Sequence, residues 1–130
     1  MKLLLILLTW TPLVYLLPVE PYFAHSHKVE WDQLICDFGK IPFGKPVSGT
    51  FEVTNIGSET LVIKKVQGSC GCTATDYTKE PILPGEKGSI LATYNAKTMG
   101  SFNKTISVYT NAQEDPFILT VKGNVNSESN

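Results

Sequence analysis

Two cysteines on either side of a single glycine, in Ser69-Cys70-Gly71-Cys72-Thr73, are the residues of this sequence whose types and spacing can do chemistry. Gly71 tolerates positive φ, so the chain can turn sharply between the thiols and aim both sulfurs at one point. Two thiolates converging from one turn suit a soft, low-coordinate ion such as copper(I), which makes Cys70 and Cys72 the candidate metal ligands. A structural zinc takes about four ligands, and this stretch supplies two. A disulfide between Cys70 and Cys72 would close a very small ring, stabilise little through chain entropy and be easily reduced. In a third reading both cysteines are small apolar residues packed at a tight turn. Metal binding, thiol redox chemistry and plain packing all stay open at this site.

Little else in the chain can react. Both histidines, His25 and His27, precede the part of the chain that reads as folded, so a histidine-based nucleophile would have no base there. Thioredoxin-type enzymes place C-x-x-C at a helix N-terminus, where the dipole lowers the thiol pKa. Here the spacing is C-x-C and the flanks read as strands. Asp37-Phe38-Gly39 matches the kinase metal-binding triplet by letters alone, with no other kinase element present. The expectation is a non-enzymatic protein. All 11 basic residues are lysines and the net charge is −1, which argues against a nucleic-acid partner.

Residues 1–26 read as a signal peptide. Lys2 is a minimal positive region, and residues 3–17 are apolar except at Thr9, Thr11 and Pro12. That run falls short of the roughly 20 apolar residues of a membrane span. Ala24 and Ser26 form an A-x-A-like cleavage site before His27. If left uncleaved, the leader would be an anchor and the chain's contact with a membrane. Cys36 lies too far on for a lipoprotein. Removing the leader takes away Lys2 and Glu20 and leaves the net charge unchanged. Export to the periplasm, the cell surface or the medium brings an oxidising environment where disulfides persist. Three cysteines are an odd number, so at least one thiol is free, metal-bound or paired with another chain.

The elements that must position the cysteine turn read as strands. Residues 28–38 give a first strand with Leu34, Cys36 and Phe38 on one face, which makes Cys36 a core residue. Residues 41–46 are a turn-rich connection. From Val47 to Asn55 the chain alternates strictly, a half-buried strand that ends at the turn Asn55-Ile56-Gly57-Ser58. In the next strand Leu61 and Ile63 share a face but Val66 is out of phase, so a bulge is expected at Lys64-Lys65. After the cysteine turn comes a short strand, residues 73–77. A loop follows in which Pro84-Gly85 suits a type II turn. Residues 88–95, 102–110 and 117–123 complete the set, with residues 96–101 a polar turn and 126–130 a polar tail. No helical period of useful length occurs. Short strands at regular spacing imply an all-β, immunoglobulin-like antiparallel sandwich of about seven strands, filling residues 27–125. Its core would comprise Phe51, Val53, Leu61, Ile63, Ile90, Ala92, Ile106, Val108, Leu119 and Val121.

These residues also form an ordered set. Asp37-Phe38-Gly39-Lys40-Ile41 is followed by Phe51-Glu52-Val53-Thr54-Asn55-Ile56-Gly57, Leu61-Val62-Ile63 and Ser69-Cys70-Gly71-Cys72-Thr73. Then come Pro81-Ile82-Leu83-Pro84-Gly85, Thr110-Asn111 and Gly123-Asn124-Val125. In this the chain resembles the bacterial exported domain-of-unknown-function family numbered 1573. That family is similar in turn to the abnormal-spindle/hydin-type and major-sperm-protein immunoglobulin-like domains. The resemblance spans essentially the whole chain after the leader and implies a fold and export, without an established activity. Cys36 is a departure, since the family commonly carries a histidine before Asp-Phe-Gly. Any polar role of that histidine passes here to a thiol or is lost. The expected function is an exported, non-enzymatic module that binds another protein or a cell-envelope component. The alternative is copper(I) binding or thiol redox chemistry at Cys70 and Cys72.

Overall fold

The alternation of Val47, Gly49, Phe51 and Val53 with Ser48, Thr50, Glu52 and Thr54 becomes one face buried and one face wet. In the computed structural model, which describes residues 28–127, these residues lie in a single strand, Val47–Asn55. Eight strands occur among the described residues. They are β1 (Val29–Trp31), β2 (Ile35–Pro42), β3 (Val47–Asn55), β4 (Ile63–Gly68), β5 (Thr73–Tyr77), β6 (Lys87–Tyr94), β7 (Gly100–Thr110) and β8 (Phe117–Asn126). Two four-stranded sheets face each other, in the orders β1-β3-β6-β5 and β2-β8-β7-β4. The expected signal peptide lies outside the described residues, as does most of the expected tail; Asn126 is the last residue of β8.

All ten expected core residues are buried, none more than 5% exposed. They pack as one cluster with Ile82, a residue of the loop before β6. A second cluster closes the other end of the sandwich with Ile41, Tyr94, Ala96, Phe102 and Val125. Tyr94 stacks on Phe102 with ring centroids 3.9 Å apart. The polar turn expected at 96–101 therefore begins with a buried residue. Ala96 sits at φ 55°, and its carbonyl accepts the Gly44 N–H at 2.9 Å.

The first expected strand is two strands in different sheets. Asp32 makes the break. Its Oδ1 accepts the N–H groups of Gln33 at 2.7 Å and Glu52 at 2.8 Å, occupying the donor that a continued ladder would use. The chain then crosses, and Leu34 accepts the Thr120 N–H at 2.8 Å in the second sheet. Leu34 is consequently 51% exposed rather than inward. Because β2 enters from that side, it runs parallel to β8, while the other pairs within the sheets are antiparallel. The ladder slips between Asp37 and Lys40. There Asp37 Oδ1 accepts the Gly39 N–H at 2.9 Å, and Gly39 takes φ 66°. Gly123 lies across from the bulge. A Cβ on it would stand 2.8 Å from the Gly39 carbonyl oxygen and 2.9 Å from the Phe102 ring, so only hydrogen fits.

Two expected irregularities are present. The β4–β7 register shifts between Ile63 and Lys65, which turns Val66 back toward Val108. Leu61 precedes β4 as an isolated bridge to Ile82. At Pro84-Gly85, Gly85 has φ 83° and Glu86 donates to the Leu83 carbonyl at 2.9 Å, as a type II turn requires.

Phe51 is fully buried, whereas Glu52 faces solvent and pairs with Lys87 at 3.0 Å. In chemical denaturation, Phe51→Ala should lose about 3–5 kcal/mol and Glu52→Ala less than about 1 kcal/mol. Equal losses would contradict this division of the strand into faces.

Candidate functional site

The cysteine turn joins β4 of one sheet to β5 of the other, so it spans the sandwich at one end. Ser69 holds it to the second sheet. Its N–H donates to the Thr105 carbonyl at 2.9 Å, and its Oγ accepts the Thr105 N–H at 3.2 Å. Cys72 holds it to the first sheet, its carbonyl accepting the Asn95 N–H at 3.0 Å. Between these anchors Cys70 and Cys72 are joined by a disulfide, with Cα atoms 5.3 Å apart. The convergence of sulfurs expected from the sequence is present, in oxidised form.

Gly71 does not work as the sequence suggests. It is absent from the glycines with positive φ, and a Cβ built on it meets open space. The flanking hydrogen bonds and the disulfide shape the turn instead. Glycine leaves its tip exposed and without a side chain. Both cysteines are half-buried. Cys72 packs against the Tyr94–Phe102 cluster, and Cys70 Sγ lies 3.9 Å from the Thr73 hydroxyl.

Cys36 stands apart from this pair. It carries a free thiol on β2, half-buried against the main core cluster and above Gly49. Burial first, then the carboxylates of Asp37 and Asp32, push its pKa above the ordinary thiol value. A thiol so placed stays protonated near neutral pH and is a poor nucleophile or ligand. Among the described residues no group of three or more His, Cys, Asp or Glu side chains comes together to hold a metal. An ion at the turn would therefore be held by two sulfurs, a donor set that suits copper(I) and not zinc.

A second feature lies on the outer face of the β2–β8 edge. Ile35 and Ile118 are 53% and 49% exposed, and Leu34, just before β2, is 51% exposed. Ile35 is opposite Thr120, two residues along β8 from Ile118, so the two isoleucines share the outer face. The outward place of Ile118 is legible in the alternation of the last strand; the exposure of Leu34 is not. Beyond these residues the same face opens into a depression of about 500 Å3 of mixed lining, with Asp37, Lys40, Lys122 and Asn124 around Phe102.

The chain belongs to the family described as "Protein of unknown function (DUF1573)", whose model matches residues 29–125. None of the curated proteins matches it. Among solved structures it is similar to a protein of unknown function from Porphyromonas gingivalis W83. The identity is 20% and the TM-score 0.68, over 78% of this chain and 48% of that one. It is also similar to the ASH / PapD-like domain 7 of human CEP192, at 12% identity and TM-score 0.65, over 85% and 94% of the two chains. A third likeness is to the Vibrio cholerae VesB protease, at 18% identity and TM-score 0.60, over 76% of this chain and 32% of that one. The chain thus spans about half of the Porphyromonas protein and about a third of the protease. At these identities the likeness is one of fold: an immunoglobulin-like β-sandwich.

With one residue between its cysteines, the disulfide removes little freedom from the unfolded chain, worth only about 1–2 kcal/mol. The Cys70→Ala/Cys72→Ala double variant should keep its β-sheet circular dichroism and lose no more than about 2 kcal/mol on denaturation. A loss as large as that from emptying the Phe51 site would make the disulfide a principal staple of the fold.

Proposed function

We propose that this chain is an exported, non-enzymatic immunoglobulin-like module that engages a protein of the cell envelope through the outer face of the β2–β8 edge. The outward pair Ile35 and Ile118, with Leu34 exposed just before β2, carries this reading. Three large aliphatic side chains stand about half exposed on and beside an edge strand, where solvation alone gives no reason for them. The depression beside them carries lysine, asparagine and aspartate side chains at its margin. An apolar centre with a polar margin is the anatomy of a protein interface. The free edge of β2 adds a row of backbone groups to which an extended partner segment can pair. The leader pattern in residues 1–26 supports export.

The meeting of the Cys70 and Cys72 sulfurs favours a second reading, in which the reduced pair holds a copper(I) ion. A turn anchored on both sides keeps the two cysteines next to each other, so that reduction of the disulfide supplies both sulfurs of such a site.

Two experiments test these readings. In the first, cell fractionation should find the chain outside the cytoplasm with a mature N-terminus near His27. A photo-crosslinking residue at Ile35 or Ile118 should then yield an adduct with an envelope protein, and one at Ser48 on the opposite sheet should not. Equal labelling from all three positions, or retention in the cytoplasm, contradicts the module reading. In the second, the reduced protein should bind about one equivalent of copper(I) and the Cys70→Ser/Cys72→Ser variant should lose most of that affinity. Equal binding by the two removes the metal reading.

A further inference from the structure

The disulfide is a poor structural staple. It closes a ring with one residue inside it, and such a loop gains little from closure. Both flanks of the turn are already fixed by backbone hydrogen bonds, from Ser69 to Thr105 and from Asn95 to Cys72. The main core cluster contains neither of the two cysteines. The bond also sits at a tip that solvent reaches, beside a glycine with open space around it. A bond that adds little to the fold, and is open to approach, is placed for chemistry rather than support.

We propose that Cys70 and Cys72 form a redox couple that exchanges two electrons with the dithiol of a partner protein, opening and closing the turn between β4 and β5 while the sandwich stays folded. A thiolate of the partner attacks Cys72 Sγ. A bond forms between those two sulfurs, the Cys70–Cys72 bond breaks, and its electron pair leaves on Cys70. The Thr73 hydroxyl, 3.9 Å from that sulfur, is positioned to donate toward the charge as it forms. The partner's second thiol, giving up its proton, then attacks the partner's first sulfur. The partner leaves as a disulfide, and Cys72 is released as a thiolate. Two protons lost by the partner are taken up by Cys70 and Cys72, so the partner is oxidised by two electrons and the turn reduced by two. The reverse sequence re-forms the turn's disulfide from a partner disulfide.

The anchors explain why the couple can cycle. Ser69 is bonded to β7 and Cys72 to Asn95, on the sides of the two different sheets, through backbone and hydroxyl groups that do not involve the sulfurs. The two thiols remain neighbours after reduction, at the high effective concentration that favours closing again. Cys36 does not compete, because it is half-buried on β2 with its pKa raised. The inference rests on the disulfide and is independent of the β2–β8 docking face. It shares with the copper reading only the reduced form.

The test uses the full chain, as wild type and as Cys36→Ser, equilibrated with glutathione buffers of varied composition and then trapped by acid and alkylation. Mass spectrometry should show the dithiol-to-disulfide ratio of Cys70 and Cys72 changing about tenfold for each tenfold change in the squared thiol to disulfide ratio of the buffer, as a two-electron couple requires. Both proteins should behave alike, and β-sheet circular dichroism should be the same at the two ends of the series. In Cys70→Ser, glutathione disulfide should leave a mixed disulfide on Cys72. A bond that stays closed across the series until the chain is unfolded in urea overturns the proposal. So does a loss of the β-sheet signal when the bond opens, or an oxidised protein in which all three thiols are alkylated.

Discussion

A buried carboxamide holds this sandwich together where its strands fail. Asn55 is 1% exposed at the end of β3, and a polar group so placed must find all its partners. Its Nδ2 donates to the carbonyls of Glu59 at 2.7 Å and Ile82 at 2.9 Å, and its Oδ1 accepts the Gly57 N–H at 3.0 Å. Its backbone N–H and carbonyl bond to Glu86 and Gly85. One residue thus fixes the turn after β3 and the loop before β6. Asn111 does similar work from the end of β7, accepting the Val62 N–H and donating to the Thr60 carbonyl. Between them the two side chains seat Leu61 and Ile82 in the core, although neither residue belongs to a strand. The position of β4, and with it the start of the cysteine turn, follows from that seating.

Much of this was legible because side-chain alternation is a local property. The alternation in β3, the out-of-phase Val66 that revealed a bulge, and the inward faces of β6, β7 and β8 depend only on neighbours in sequence. What was hidden depends on partners far along the chain. Asp32 reads as an ordinary polar residue until Glu52 is beside it. The parallel course of β2 follows from that break and from a strand more than 80 residues away. Ile82 reads as a loop residue until Leu61 pairs with it. At the cysteine turn, the convergence of the sulfurs could be read from their spacing. The role of the anchors could not, because Ser69, Thr105, Cys72 and Asn95 come together only in the fold.

The two candidate sites occupy different parts of the sandwich. Ile35 and Ile118 lie on the outside of the second sheet at the β2 edge, with Leu34 exposed just before it, while the cysteine turn bridges the two sheets from β4 to β5. Their requirements differ as well. A docking strip needs apolar area kept in water, which the neighbouring lysines and asparagines keep soluble. The cysteine turn needs two sulfurs held close and in reach of a partner. The fold satisfies both without compromising the core, because the inward faces of its strands carry neither.

The parallel pairing of β2 with β8 has a consequence for how the chain is made. Within the second sheet β7 and β8 can pair as soon as the connection between them has been synthesised, and β4 waits only for β5 and β6 to be made before β7 follows. β2 emerges early, yet its partner is the last strand of the domain. Until residues 117–126 have cleared the ribosome, residues 35–42 have no ladder to join, and Gly123 is not yet there to receive the bulge at Gly39. Contacts of such long range close late and slowly. The second sheet therefore stays unlatched at its β2 edge until the last strand of the domain has been made.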